Sequence, residues 1–288
     1  MTRFNTSMIP AMVAAVLAVN PVTAPFAHAS EQKYGDCVVT GAFGKYKLEP
    51  SQSGLLTILA TLPAPGDYNG DTAEQVKSGY SYCLAAEIAH RGGVPAITVK
   101  NVSFDALVSG RSKDFDVAIL QLFKTPEREK VADFSTPYLR VNTGILVRSN
   151  SKIDDTTIKD AKIGVLLGSI NDIFVKETLK PSQAPAQFQS ISDMVTALMA
   201  RQIDAILLDT TLTMIIAKQT GGKLKVIGQY EAGGDAAVLL AKGSANTKIV
   251  DKIIEELRGE GRLDSLLEEQ LAPFMGGNPK DLPVWKVK

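Results

Sequence analysis

Residues 116–128 read Asp116-Val117-Ala118-Ile119-Leu120-Gln121-Leu122-Phe123-Lys124-Thr125-Pro126-Glu127-Arg128, and the way this stretch divides decides the fold. Asp116–Leu120 is a short apolar run with β-branched members, as in a strand buried on both faces. Thr125 then offers an oxygen to cap a helix, and Pro126 brings the fixed φ suited to the first helical position. A buried strand thus feeds a helix start within a few residues. The same alternation extends in both directions. Toward the N-terminus, Leu55–Leu62 reads as a strand, residues 63–79 (Pro, Gly, Asn, Asp) as a loop, and Tyr80–His90 as a helix stopped by Gly92-Gly93. Ile97–Val102 is a strand and Phe104–Val108 opens a helix. Toward the C-terminus, Gly144–Arg148 reads as a strand that carries the chain across to another lobe. Lys162–Leu167, Ala186–Gln189, Ile203–Leu208 and Leu224–Gly228 are strands; Ile170–Leu179, Ile191–Ala200 and Thr210–Gln219 are helices between them. Ala236–Lys242 reads as the return crossing. Amphipathic helices follow over Thr247–Arg258 and Leu263–Leu271, with Ile249, Ile253 and Leu257 on one stripe.

Strand–helix alternation throughout predicts an α/β fold, mainly parallel sheets covered by helices. Two such blocks, with helices returning at the end, predict a discontinuous first lobe (54–142 and 236–288) around an inserted second lobe (143–235). Residues 30–53 are polar and glycine-containing and form an extension ahead of the first strand.

The 288 residues suit two such lobes. Formal net charge is zero, 31 basic against 31 acidic side chains, so the basic excess of a nucleic-acid binder is missing. Arg3 precedes an apolar run, Met8–Val19, broken only by Pro10, and Ala27-His28-Ala29 matches the small-x-small pattern of signal peptidase. Residues 1–29 are therefore expected to be a cleaved leader and the mature chain to be secreted. The run is shorter than the roughly 20 residues of a membrane span. Secretion bears on the two cysteines: an oxidising compartment favours pairing Cys37 with Cys83, which would tie the extension to the first helix.

Open sheets of this kind bind ligands at the C-terminal ends of their strands. Arg128 sits at N3 of its helix, where an acid is favoured and a cation opposes the helix dipole. Beside free N–H groups its planar fork would match a carboxylate; equally, it would be a solvated arginine between Glu127 and Glu129. Asp209 follows a strand as a plain helix cap, or as a carboxylate placed to bind a cation. Gly168-Ser169, with Asp172 three residues on, resembles a capping box with Asp in place of Glu, and its N–H groups could hold an anion.

The stretches Phe104-Asp105-Ala106-Leu107, Asp116-Val117-Ala118-Ile119 and Thr125-Pro126-Glu127-Arg128 through Pro137-Tyr138 closely resemble the polar amino-acid-binding proteins of ABC importers, the family 3 solute-binding proteins. Ile163-Gly164-Val165 with Gly168-Ser169, and Ile203-Asp204-Ala205 with Asp209, continue the resemblance over residues 54 to about 270, in the family's order. It implies the type II periplasmic binding protein fold, two α/β lobes joined by two crossing strands. It implies that Arg128, helped by the turn at Gly168-Ser169, binds a ligand's α-carboxylate and Asp209 its α-ammonium, from opposite lobes. It implies a small-molecule ligand (an amino acid or related zwitterion), an inner-membrane ABC permease as partner, a periplasmic location, a monomer and no cofactor. The chain departs from the family pattern at Phe123, where a Ser or Thr is common, and at Gln121, where a small residue or hydroxyl is common. Leu167 and Ile170 flank Gly168-Ser169 where polar residues are frequent, so a more apolar pocket is expected. The ligand side chain is expected to lie against an aromatic from the loop after the first strand, Tyr68 ahead of Tyr80.

Two other functions are compatible with the sequence: a dehydratase-like enzyme on the same fold, with Asp209 or Glu231 as a lone acid, and a sensor that presents its ligand to a receptor. Against catalysis stand the missing H-E-x-x-H, paired-cysteine and nucleophile-elbow motifs. The single histidine beyond the leader, His90, reads as a surface residue.

Overall fold

The computed structural model describes residues 34–287 and the first two residues, so the leader expected over 1–29 otherwise lies outside the described residues. Strands β1 (Leu55–Ala60), β2 (Ala96–Asn101) and β3 (Val117–Ala118) form one parallel group; β5 (Ile163–Leu166), β6 (Ala186–Phe188) and β7 (Ala205–Asp209) form another. Between them lie two long antiparallel strands, β4 (Ala132–Arg148) and β8 (Leu224–Ala241), giving the order β2-β1-β3-β8-β4-β7-β5-β6. A short β9 (Val284–Trp285) pairs with β8. Helices α1 (Tyr80–Arg91), α2 (Phe104–Val108), α3 (Pro126–Glu129), α4 (Ile170–Phe174), α5 (Ile191–Met199), α6 (Thr210–Gln219), α7 (Thr247–Gly259) and α8 (Arg262–Leu266) connect and cover them. Each parallel group has a core on both faces. Leu56, Ile58 and Leu84 lie on one side of the first group, and Leu59, Ala118 and Leu239 on the other. Val165 and Leu207 lie on one side of the second group, and Leu166, Ile206 and Leu208 on the other. This is the two-lobed type II periplasmic binding protein fold.

The crossings differ from the sequence reading. Gly144–Arg148 is only the far end of β4, and Ala236–Lys242 covers only the last residues of β8 and the one after it; the two strands pair from Ala132↔Ala241 to Arg148↔Leu224. Register shifts at Phe134/Pro137, Pro137/Leu139 and Val141/Thr143 bend the ladder and accommodate Pro137 within a strand. Gly233 allows the closest approach: a Cβ there would stand 1.7 Å from the Val141 carbonyl oxygen. Proline, glycine and polar residues interrupt the apolar pattern over these segments, so periodicity alone divides each strand.

The extension is clamped onto α1. Cys37 and Cys83 form a disulfide. The Tyr34 hydroxyl donates to the Val94 carbonyl at 2.7 Å, and Gly44 N–H donates to the His90 carbonyl at 2.9 Å. His90, read from sequence as a surface residue, is buried, with Nε2 3.1 Å from the Gly41 carbonyl and its ring against Tyr34 and Phe43. The extension covers it. Next to it Arg91 is fully buried and paired with Glu256 and Glu260 of α7 and the adjoining turn.

Candidate functional site

The chain leaves β3 through a sharp turn at Gln121, which has φ +51°. The Gln121 side chain is held at both ends: Nε2 donates to Asp67 Oδ2 and Oε1 accepts from the Thr211 hydroxyl, each at 2.7 Å. Asp67 also accepts from the Ser81 hydroxyl at 2.5 Å. Burial pushes the Asp67 carboxyl up to about 6, against the pull of these two hydrogen bonds.

Helix α3 starts as the sequence predicts, the Thr125 hydroxyl accepting from Arg128 N–H at 3.3 Å. The short helix turns Arg128 inward, where it is 7% exposed rather than solvated. Its Nη1 donates to the Phe123 carbonyl at 2.7 Å and its Nη2 to the Gly168 carbonyl at 3.0 Å, the second bond reaching across to the β5 end. The guanidinium carbon lies 5.7 Å from the centre of the Phe104 ring. Burial brings Arg128 down to about 10, and the charge of Asp209 opposes the shift.

Asp209 holds the N-cap position of α6, yet its side chain makes no capping hydrogen bond. Instead Oδ1 accepts from Asn171 Nδ2 at 3.0 Å, and Asn171 is fixed in turn by the Thr143 hydroxyl donating to its Oδ1 at 2.6 Å. Burial pushes Asp209 up to about 7; the Asn171 hydrogen bond lowers it, Asp67 raises it and Arg128 lowers it. Ser169 caps α4 by accepting from Asp172 N–H at 3.1 Å. The Asp172 carboxylate turns away to Gln187 and Lys176, so the reciprocal half of the capping box is not made.

Arg128, Asp209, Gln121, Phe123 and Ser169 line one cavity between the lobes, of about 790 Å³ with its open mouth included. Gly168 stands behind it as the acceptor for Arg128. Tyr68 is a correction: it is fully buried, its hydroxyl donates to the Ile119 carbonyl at 2.6 Å, and it is not among the lining residues. Tyr80 is likewise buried, against Tyr138. The aromatic wall consists of Phe104 and Phe123. Sequence reading also missed Asp67 and Asn171. Asp67 lies in a loop of turn-forming residues and Asn171 in the first turn of α4, and neither position carries a local signal of a site.

The profile of the bacterial extracellular solute-binding proteins, family 3, matches residues 59–271. The chain belongs to that family. This family 3 solute-binding protein is 28% identical over 228 residues to the L-cystine-binding protein TcyJ of Escherichia coli (strain K12), a match covering 75% of this chain and 81% of TcyJ. It is 29% identical over 198 residues to the arginine-binding extracellular protein ArtP of Bacillus subtilis (strain 168), covering 65% and 75%. Among solved structures, an ancestral arginine-binding protein bound to arginine superposes with a TM-score of 0.67 at 27% identity, covering 75% of this chain and 98% of that one. An amino acid ABC transporter substrate-binding protein from Streptococcus pneumoniae bound to L-arginine gives 0.64 at 27%, covering 76% and 94%. These family members are solute-binding proteins rather than enzymes. Among the described residues, no helix is long and apolar enough to cross a membrane.

Proposed function

We propose that this solute-binding protein captures an α-amino acid in the cavity between its lobes and delivers it, chemically unchanged, to the permease of an ABC importer. One observation carries the reading: a buried arginine and a buried aspartate, reached from different lobes, line the same cavity and feel each other's charge. In this reading Arg128 takes the α-carboxylate, with Ser169 and the Gly168 turn beside it, and Asp209 takes the α-ammonium. Gln121 and Phe123 shape the space for the side chain. A ligand touching both lobes binds the closed arrangement better than an open one and so shifts the population toward closure. The names of TcyJ and ArtP support an amino acid as ligand class. We assign lobe 1 to residues 54–142 and 236–288 and lobe 2 to 143–235, and place the mature, monomeric protein in the periplasm after cleavage behind Ala29.

The test is calorimetric titration of the purified protein with amino acids, followed by recovery of the ligand. Arg128→Ala should weaken binding by at least about 2 kcal/mol, because a desolvated carboxylate is left without its partner. Unchanged affinity, or a ligand returned as a different compound, would overturn the proposal.

A further inference from the structure

Among the described residues, three charged side chains line the cavity: Asp67, Arg128 and Asp209. If Arg128 and Asp209 meet the two α-groups, only Asp67 is left to face a charge on the ligand's side chain. Asp67 is 1% exposed, and each of its oxygens already accepts a hydrogen bond, from Ser81 and from Gln121. The Gln121 amide that covers it is anchored at its other end by Thr211. A cation reaching Asp67 would compete with the Ser81 and Gln121 donors already on its oxygens, in a hydrogen-bond chain that runs from Ser81 to Thr211. Among the described residues no cationic side chain lines the cavity besides Arg128, so an anion on the ligand's side chain meets no second cation there. The remaining wall carries no charge and is apolar over Leu62, Leu120, Phe104, Phe123, Ile191 and Leu212, with neutral polar groups such as Thr61 and Ser190 between them. A charge of either sign lodged there would be stripped of water without compensation, whereas hydrocarbon gains by leaving water. The neutral Gln189 and Ser192, both exposed, could satisfy a polar atom but not a full charge.

We infer that the ligand is an α-amino acid whose side chain carries no charge and is largely hydrocarbon, unlike the arginine named for several relatives. The inference rests on the amino-acid reading above. Side-chain twins that differ mainly in charge isolate it: norleucine against lysine, citrulline against arginine, glutamine against glutamate, each titrated at pH 7.5 into wild type and Arg128→Ala. The neutral member of every pair should bind at least tenfold tighter, and norleucine at least tenfold tighter than glycine. Any pair in which the charged member binds as tightly or more tightly overturns the uncharged side chain; glycine matching norleucine overturns the hydrocarbon body. If amino acids bind and lose affinity in Arg128→Ala, such a failure concerns this inference alone. If none of the panel binds, or Arg128→Ala leaves binding unchanged, the amino-acid reading itself falls and this one with it.

Discussion

Asp209 places a carboxyl with a pKa near 7 where the proposed ligand carries an ammonium group. Only the ionised form attracts that group, so affinity should rise with pH through about 7 and level off above it. Titration at pH 5.5 and 8.0 should show at least tenfold tighter binding at the higher pH, with protons released to buffer during binding near pH 7. Asp209→Asn should remove the pH dependence and lower affinity for aminated ligands more than for their deaminated analogues. Equal losses would reduce Asp209 to a structural role. Asn171→Ala removes the hydrogen bond that lowers the Asp209 pKa, and should move the affinity transition to higher pH. The ligand-free protein responds with the opposite sign. Folding raises the Asp67 and Asp209 carboxyls above their ordinary values, so the native state holds protons more tightly than the unfolded chain. Their contribution to stability is greatest below about pH 4 and is lost as pH rises through 6 to 7. The residues facing each other across the cavity were legible one at a time: Arg128 by breaking a helix-charge rule, Asp209 by its place at a strand end. That Asp209 is not a cap depends on Asn171, 38 positions earlier in the chain, and no local pattern joins the two.

At the scale of elements, the helices followed the sequence closely. Thr210–Gln219 is the predicted helix residue for residue, and α1 extends the predicted one by Arg91 alone. Apolar periodicity and glycine stops are local signals, and they suffice for a helix whose hydrogen bonds close within the segment. The paired cysteines were legible for a different reason, compartment chemistry together with their being the only two. Replacing both Cys37 and Cys83 by Ser should lower unfolding free energy by up to about 4 kcal/mol in the loop-entropy picture. Denaturant unfolding would measure this. Ligand affinity should stay within about twofold, since neither cysteine lines the cavity. A large affinity loss would mean that the extension acts on the site. The long strands β4 and β8 were the least legible elements. They pair along their length with each other, up to 109 positions apart at Ala132↔Ala241, and the register shifts that accommodate Pro137 and the glycines leave no local pattern to read.

Across the whole molecule, the lobes meet at specific polar contacts as well as along the crossing strands. Gln121 joins Asp67 to Thr211, and Arg128 reaches the Gly168 carbonyl. Helix α6 follows β7 of the second group, yet Met214 and Ile215 are buried in the core of the first. Thr211→Val removes the hydroxyl that holds Gln121 while keeping its volume. The ligand-free protein should then populate more open states, read as a larger radius of gyration in solution scattering. Affinity should fall by about three- to tenfold as the competent fraction drops. An unchanged radius and affinity would show that the Gln121 bridge does not bias closure. The sequence by itself determined the α/β class, the helices, the family and the cysteine pair, because each is encoded in local pattern or in composition. Only the tertiary structure decided that Tyr68 is core, that Phe104 stands over Arg128, and that Gln121 is hydrogen-bonded to Asp67. Those outcomes depend on which distant side chains compete for the same buried space and the same hydrogen bonds, and that competition exists only once the chain has folded.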